Sequence, residues 1–201
     1  AVPMDDAGVP QPCVELRFSG HGPISSRQEA SHPHSVLECS PGVLLVPDLG
    51  ADCVHWVAAS PYRRPDGCGV TLALINSVAI APGCGPRHIA VWRSYAYLVC
   101  ELASELHSFV IDAEGATLRS QCCISLASEA GKRGNLSADV CICDGLLAVC
   151  NRGEHNVQLF FLPSNGTPKP IGRIQSNGWT RNIRFGADGS LLFCANEAGE
   201  G

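Results

Sequence analysis

The chain is poor in basic charge and lacks any apolar run long enough to cross a membrane. Its 201 residues include 14 Lys and Arg against 19 Asp and Glu, for a formal net charge of −5. The basic residues are scattered, so the sequence has no positive patch suited to nucleic acid or anionic lipid. The most apolar stretch, 70–81, is too short for a bilayer span and contains Asn76 and Ser77. We therefore expect no nucleic acid and no membrane among the partners of this protein.

An export signal is also lacking at the start of the sequence. Residues 1–12 are acidic and contain prolines, without the basic start and apolar centre of a signal peptide. We therefore expect a cytoplasmic protein. The twelve cysteines are accordingly expected to be reduced thiols, and several lie inside apolar strand patterns, where a thiol behaves as a small hydrophobic group.

The cysteines and histidines lack the spacing of a metal site. No Cys-x-x-Cys occurs, and the closest cysteine pairs are at 122–123 and 141–143. The two histidines of the segment 32–34 have no thiol or carboxylate cluster close to them in the sequence. These patterns predict no metal site, and no motif in the chain indicates a cofactor.

The sequence does contain a short motif that recurs at nearly constant spacing: an apolar strand that ends in a charged residue. Successive charged ends are separated by 53, 51 and 45 positions. These ends are Asp48, Glu101, Arg152 and Glu197. A period of this size, carried by short strands, is typical of a β-propeller, in which one repeat cannot bury its own faces.

Each period divides into four short β-patterned runs separated by turn signals, which predicts a four-stranded antiparallel blade. No helical periodicity of useful length competes with this pattern. We therefore predict an all-β fold, a β-propeller of which about three and three-quarter blades are present. The blades are predicted at 34–81, 82–127 and 128–177, with a partial blade at 178–201.

Two local predictions accompany this division of the chain. Residues 1–33 are expected to hold the end of a preceding blade, with its last strand at 13–18, followed by a linking loop. The segment 61–69 is rich in proline and glycine and is predicted to be a loop between two strands of the first full blade.

The innermost strand of each blade lines the central channel of a propeller, so equivalent residues form rings. The residues thirteen positions before the first three charged strand ends are Ser35, His88 and Asp139. The positions just before them, with the corresponding position of the fourth blade, are His34, Arg87, Ala138 and Arg181. The channel mouth is therefore expected to be rich in ionisable side chains.

These segments resemble the propeller lactonase family of 6-phosphogluconolactonases and carboxy-cis,cis-muconate lactonising enzymes, also called the cycloisomerase 2 family. The matching segments follow one another in order between residues 20 and 198 and cover nearly the whole chain. They are 27–35, 46–52, 85–88, 96–102, 138–140, 150–153 and 181–182. The resemblance implies a propeller of about seven blades, of which this chain would hold the middle and part of the later half.

The resemblance also implies which residues form the active site. The positions that match the family's proposed catalytic cluster are His34, Arg87, Glu101 and Arg152. The ring positions expected to bind substrate beside them are His88, Asp139 and Arg181. The family usually has Asn, Glu and Gln at three positions where this chain has Cys100, Asp139 and Glu197.

A lactone is a cyclic ester, and its hydrolysis needs a deprotonated water and a stabilised carbonyl oxygen. His34 and Glu101 are suited to the proton transfers. Arg87 and Arg152 offer planar guanidinium donors to a phosphate or carboxylate. The expected function is therefore a lactonase without metal or cofactor, acting on a small anionic sugar lactone such as 6-phosphogluconolactone.

Other interpretations of the same residues remain open at this point. The reaction could run in the cycloisomerase direction on a carboxymuconate, or the chain could be a non-catalytic interaction module or an inactive fragment. His34 could hydrogen-bond a neighbouring turn, and Arg87 could pair with Asp139. Glu101 and Arg152 could pair with each other across adjacent blades. The sequence does not indicate an oligomeric state.

Overall fold

The computed structural model describes residues 1–64, 67–131 and 134–199, and the regular structure in these ranges consists of β-strands. Within them, no helix has the length and hydrophobicity to cross a bilayer. The strands are β1 (Leu37–Ser40), β2 (Val43–Asp48), β3 (Cys53–Arg64), β4 (Gly67–Ala79), β5 (Pro86–Trp92), β6 (Tyr95–Cys100), β7 (Glu105–Asp112), β8 (Thr117–Ser125), β9 (Ser137–Cys143), β10 (Leu146–Asn151), β11 (Asn156–Phe161), β12 (Lys169–Gln175), β13 (Gly178–Phe185) and β14 (Leu192–Gly199).

The strands form antiparallel meanders in which each strand pairs with the next one in sequence. Blade 1 consists of β1–β4, blade 2 of β5–β8 and blade 3 of β9–β12, and the partial blade 4 pairs β13 with β14. This arrangement confirms the predicted all-β propeller fold. The described residues hold three complete blades and two strands of a fourth.

Tight turns hold the first two strands of a blade together. In the Asp144-Gly145 turn between β9 and β10, both residues have positive φ angles, of 45° and 77°. Two-residue hairpins favour this backbone because its twist matches that of the paired strands. Arg93, in the corresponding turn of blade 2, also has a positive φ, of 57°. These short turns keep the inner strands in close register.

The core lies between the blades. Alternate residues of β6 point to opposite faces of its sheet. Ala96, Leu98 and Cys100 pack against blade 1, whereas Tyr97 and Val99 pack against blade 3. All five side chains are fully buried. Burial on both faces explains why this strand reads as a continuous apolar run instead of an alternating pattern.

A third cluster joins blade 3 to blade 4 through Ala148, Cys150 and Ile183. The first strands of successive blades lie next to one another, since both β5 and β13 contact β9. Residues at the N-terminal ends of these strands, although about fifty positions apart in the chain, therefore meet at one end of the blades.

The predicted strand at 13–18 is wrong, since these residues have no regular structure. The segment lies over the outward face of blade 1, where Val14, Leu16 and Phe18 help to line an apolar cavity of about 410 Å³. Phe18 stacks on His55, with ring centroids 4.0 Å apart and ring planes 5° apart. These apolar side chains are half-buried there, and the backbone of Val14 bonds only to Ala1 and forms no strand. The described residues therefore hold fewer strands than we predicted.

The predicted loop at 61–69 is wrong for most of its length, because β3 extends to Arg64 and β4 begins at Gly67. Residues 65 and 66 lie outside the described part of the chain. Pro61 is tolerated in β3 because β2 has already ended at this level and leaves that edge free. A proline on a free edge removes no ladder hydrogen bond.

Candidate active site

Glu101 directly follows β6 and places a carboxylate among three arginines. Its side chain is 1% exposed, and Arg87 Nε donates to its Oε2 over 2.7 Å. Arg152 Nη2 lies 2.6 Å from the same oxygen, and Arg27 Nη2 contacts Oε1. We call these four residues the Glu101 cluster. One carboxylate facing three guanidiniums leaves the cluster with an excess of positive charge.

Backbone geometry aims Arg87 into this cluster. Gly85, just before β5, has a φ of 67°, and a Cβ there would lie 2.5 Å from Cγ of Leu102. The position therefore requires glycine. Gly85 O accepts from the backbone N of Glu101 over 2.8 Å, and Gly85 N donates to Asp52 Oδ1 of blade 1 over 2.8 Å. The turn is fixed from both sides, and so is the start of the strand that carries Arg87.

The arginines are also held by backbone acceptors of blade 3. Arg87 is 2% exposed, and its Nη1 donates to the carbonyl oxygen of Ala138. Arg152 Nε donates to the carbonyl oxygen of Leu136 over 3.2 Å. These contacts orient the guanidiniums before any ligand binds.

The Glu101 cluster changes the acidity of its members. Burial raises the pKa of the Glu101 carboxyl, but the hydrogen bond from Arg27 and the charges of the nearby arginines outweigh burial and lower it. Burial lowers the pKa of Arg87; Glu101 opposes this, and Arg152 reinforces it. Glu101 is therefore an anion at neutral pH and is not available as a proton donor.

His88 is held by a carboxylate from the next blade. Its Nδ1 lies 2.6 Å from Asp139 Oδ1. Asp139 also accepts from the backbone N of Val140 at 2.8 Å and of Ile183 at 3.0 Å, and from Nδ2 of Asn182 at 2.6 Å. Burial raises the pKa of Asp139, but the His88 hydrogen bond and charge outweigh it, so the pKa is lowered. An ionised, fixed carboxylate thus orients the His88 ring through Nδ1.

His34 lies beside His88 and has a ring nitrogen without a partner. The two ring centroids are 5.4 Å apart. Among the described residues, none forms a hydrogen bond with the buried Nδ1 of His34. Burial, reinforced by Arg87 and His88, lowers the pKa of His34 to about 4. His34 is therefore a neutral imidazole at pH 7.

An open depression lies beside His34, His88 and the Glu101 cluster. Its volume is about 480 Å³. The residues that line it are His34, Arg87, His88, Arg181, Asn182, Ala195, Asn196 and Glu197. An adjoining depression of about 370 Å³ is lined by Arg152, Trp179, Arg181, Glu197 and Ala198. The ion pair between Arg181 and Glu197, with N and O atoms 2.7 Å apart, borders both.

The structure brings the seven residues that the sequence placed at the channel mouth into one region. Glu101 and Arg152 do form an ion pair. Arg87 pairs with Glu101 and not with Asp139, whose partner is His88. The catalytic and substrate-binding roles assigned to these residues stay predictions.

The four charged strand ends play different parts. Glu101 and Arg152 belong to the cluster, and Glu197 pairs with Arg181. Asp48 is fully buried and accepts from the backbone N of His32 over 2.7 Å, so it fixes a loop of blade 1. Residues at equivalent positions of the repeat therefore do not have equivalent roles.

Sequence reasoning missed Arg27. This residue lies in the linking loop before blade 1, outside the repeated strand ends, so the spacing gives no signal for it. The matching segment 27–35 includes it, but its contact with Glu101 spans 74 positions of the chain. Only the folded blades bring the two together.

Comparisons with known proteins identify relatives of this chain and its fold. Residues 1–200 match the family described as Lactonase, 7-bladed beta-propeller. The 6-phosphogluconolactonase of Bacillus subtilis is 28% identical, over 96% of this chain and 55% of the relative. The 6-phosphogluconolactonase of Formosa agariphila is 27% identical, over 90% of this chain and 52% of the relative. The chain thus spans about half the length of the curated relatives it matches.

Two solved structures show the same arrangement of blades. The periplasmic gluconolactonase of Pseudomonas aeruginosa is 25% identical and superposes with a TM-score of 0.82, covering 98% of this chain and 55% of the other. A protein from Lactobacillus plantarum, 23% identical, superposes with a TM-score of 0.87 over 98% of this chain and 57% of its own. With the family match over almost every residue, these findings show that the chain belongs to the seven-bladed β-propeller lactonase family.

Proposed function

We propose that this chain forms the catalytic region of a lactonase that hydrolyses a small anionic sugar lactone such as 6-phosphogluconolactone. The observation that carries the proposal is the Glu101 cluster, in which three guanidiniums surround one buried carboxylate beside a depression lined by two histidines. The names of the Bacillus and Formosa relatives support the same activity and substrate.

The excess positive charge of the cluster favours an anionic substrate. A guanidinium presents a planar fork of donors that fits a phosphate or carboxylate. Arg87 lines the larger depression and Arg152 the smaller one, with Arg181 between them. The protein as a whole has a formal charge of −5, so this positive region is local. It therefore distinguishes charged lactones from neutral ones.

In the proposed reaction, His88 is the general base. Asp139 holds the proton on Nδ1 of His88, so Nε2 carries the lone pair that accepts a proton from water. The water oxygen bonds to the carbonyl carbon, and the bond between that carbon and the ring oxygen then breaks. The proton returns from His88 to the departing ring oxygen, which leaves an open-chain hydroxy acid.

His34 stabilises the carbonyl oxygen while it carries negative charge. Since the pKa of His34 is lowered to about 4, its neutral imidazole can donate an N–H hydrogen bond at pH 7. Glu101 positions the arginines and transfers no proton. This assignment replaces the proton-transfer role that the sequence pattern suggested for Glu101, because its pKa is lowered and its oxygens are occupied by arginines.

The test is acid release from 6-phosphogluconolactone, measured above its spontaneous rate with the 201-residue chain. His88→Gln should lower kcat by at least ~100-fold, since a positioned acid–base group contributes ~10²–10⁴-fold. His21→Gln is the matched control, because His21 is exposed and does not line the depression. A wild-type rate equal to the spontaneous rate would reject the lactonase proposal. Equal rates for wild type and His88→Gln would show that His88 is not the general base.

A second comparison tests the anion site. Arg152→Lys keeps the positive charge but loses the planar fork, so it should raise KM more than it lowers kcat. Arg119→Lys is its control, since Arg119 is exposed on β8. An unchanged KM in Arg152→Lys would show that the lactone does not bind at this guanidinium.

A further inference from the structure

A second group of reactive side chains lies beside the core between blades 1 and 2. Cys84 precedes β5, Glu105 and His107 lie on β7, and Cys123 lies on β8. Their donor atoms converge on the Nε2 atom of His107. We call these four residues the His107 cluster. None of them lines the depression that contains His34.

The distances in the His107 cluster suit a tetrahedral metal site. His107 Nε2 lies 3.5 Å from Cys84 Sγ, 3.5 Å from Cys123 Sγ and 2.9 Å from Glu105 Oε2. Cys84 Sγ lies 4.0 Å from Glu105 Oε2. Zinc bonds of ~2.3 Å to sulfur and ~2.0 Å to nitrogen or oxygen place the donors of a tetrahedron about 3.3–3.8 Å apart. These four separations lie within about 0.4 Å of that range.

The blade topology holds these donors in place. Glu105 and His107 are two positions apart on β7 and so point to the same face of the sheet. Cys123 lies directly opposite His107 in the β7–β8 register. Cys84 is anchored by its carbonyl oxygen, which accepts from the backbone N of Leu102 over 3.2 Å. The β7–β8 register and the anchored turn thus place the other three side chains around His107.

Cys84 lies on the buried side of the His107 cluster. The thiolate is the form of cysteine that binds metals.

The other side of the His107 cluster is open to solvent. Cys123 is exposed, and the Glu105 side chain is 33% exposed. Cys84, by contrast, is buried. A cation can therefore enter from the surface and be held by a buried ligand.

We propose that Cys84, Glu105, His107 and Cys123 form a Zn²⁺ site separate from the lactone site. Two thiolates, an imidazole and a carboxylate are ligands that zinc binds in tetrahedral geometry, and four protein ligands make a closed, structural site. The ion cross-links β7 and β8 to the turn that leads into β5. This proposal departs from the expectation of no metal, because the ligand spacing matches no zinc motif and only the blade brings the ligands together.

The test uses the 201-residue chain, freed of metal with a chelator under reducing conditions and titrated with Co²⁺ and then Zn²⁺. A tetrahedral thiolate site gives Co²⁺ a sulfur-to-metal charge-transfer band and strong visible bands, and Zn²⁺ abolishes them by displacing Co²⁺. We expect one Zn²⁺ per chain and a higher Tm with Zn²⁺ bound. A wild-type chain without the tetrahedral Co²⁺ spectrum would overturn the proposal.

Cys123→Ser removes one ligand at an exposed position, so the variant should fold. Its Zn²⁺ affinity should fall by at least the ~10–100-fold that loss of an outer partner costs. Cys122→Ser is the matched control: Cys122 is the preceding residue of β8, and its sulfur contacts Ser108 Oγ at 3.0 Å. The control should bind Zn²⁺ like the wild type. An equal effect of both substitutions would mean adventitious binding and would reject the site. These readouts do not depend on lactonase activity.

Discussion

The carboxylates of Glu101 and Asp139 lie in the same region but have different roles, because their partners differ. The Glu101 oxygens face guanidiniums from three parts of the chain, so this residue organises positive charge. The Asp139 oxygens face one imidazole, two backbone amides and one side-chain amide, so this residue fixes a ring. Substitution should separate the two roles, since one bears on stability and the other on turnover.

Asp139→Asn should lower kcat by at least about tenfold and leave KM nearly unchanged. The amide can offer an N–H to Nδ1 of His88, which favours the tautomer with the proton on the wrong nitrogen, and positioned acid–base groups contribute ~10²–10⁴-fold. Steady-state kinetics on 6-phosphogluconolactone measure this split. Asp188→Asn, an exposed site outside the depression, should keep wild-type kcat. A kcat in Asp139→Asn equal to that of the control would show that Asp139 does not orient His88 for catalysis.

Glu101→Gln should lower the free energy of unfolding by ~3–5 kcal/mol, because it leaves buried guanidiniums without their counter-charge. Urea denaturation measures the change. Glu114→Gln, on an exposed turn, should stay within ~0.5 kcal/mol of wild type. An effect of Glu101→Gln as small as that of the control would show that the carboxylate does not hold the cluster together.

Among the structural elements, β6 contributes buried side chains to two of the hydrophobic clusters between the blades. Leu98 and Val99 are adjacent, yet one packs against blade 1 and the other against blade 3. The strand ends at Cys100, and Glu101 follows immediately. Packing on both faces therefore fixes the position of the carboxylate that the proposed site needs.

Leu98→Ala should destabilise the protein by ~2–5 kcal/mol, since a buried leucine leaves a cavity that its neighbours fill only in part. The midpoint and slope of urea unfolding report the change. Leu191, which is 59% exposed in the segment before β14, is the control, and Leu191→Ala should change stability by less than ~0.5 kcal/mol. Similar effects at both sites would contradict a core between the blades.

The strands were predictable where both faces are buried, because a continuous apolar run bounded by turns leaves few alternatives. They were not predictable where pairing depends on a distant segment. The segment 13–18 has a strand-like pattern but lies on blade 1 without forming a strand. The segment 61–69 has loop-like composition, but most of it pairs β3 with β4, and Pro61 is tolerated because β2 has ended at that level. The amino-acid composition of a segment does not show which strand edge will pair with it.

At the level of the whole molecule, the repeat made the meeting of His34, Arg87 and Arg181 predictable, because a fixed period places equivalent residues on one ring. It did not predict their partners. The contact between Arg27 and Glu101, and that between Cys84 and His107, join residues at unrelated positions of the repeat. Such contacts depend on side-chain reach and loop path, for which the spacing contains no information.

The half-buried His34 makes the fold sensitive to acid. Its pKa is about 4 in the folded protein and 6.5 in a free imidazole, so the unfolded chain binds the proton more readily. Its contribution to stability is therefore complete above pH 6.5 and is lost as the pH falls towards 4. The lowered pKa values of Glu101 and Asp139 act in the same direction at lower pH.

Urea unfolding across the interval from pH 6.5 down to pH 4 tests this effect. The wild type should lose stability through the interval, and His34→Gln, which cannot be protonated there, should lose less. His21→Gln, at an exposed histidine, should follow the wild type. Parallel curves for wild type and His34→Gln would mean that folding does not lower the pKa of His34.

The most direct measurement of the lactonase proposal is the ratio of kcat/KM for 6-phosphogluconolactone to that for unphosphorylated gluconolactone, each corrected for spontaneous hydrolysis. A hydrogen bond to a charged group contributes ~1.5–3 kcal/mol, so the guanidiniums of the Glu101 cluster should favour the phosphorylated lactone by ~10–100-fold. Arg152→Lys should reduce that preference. Equal kcat/KM values for the two lactones in the wild-type chain would contradict the account.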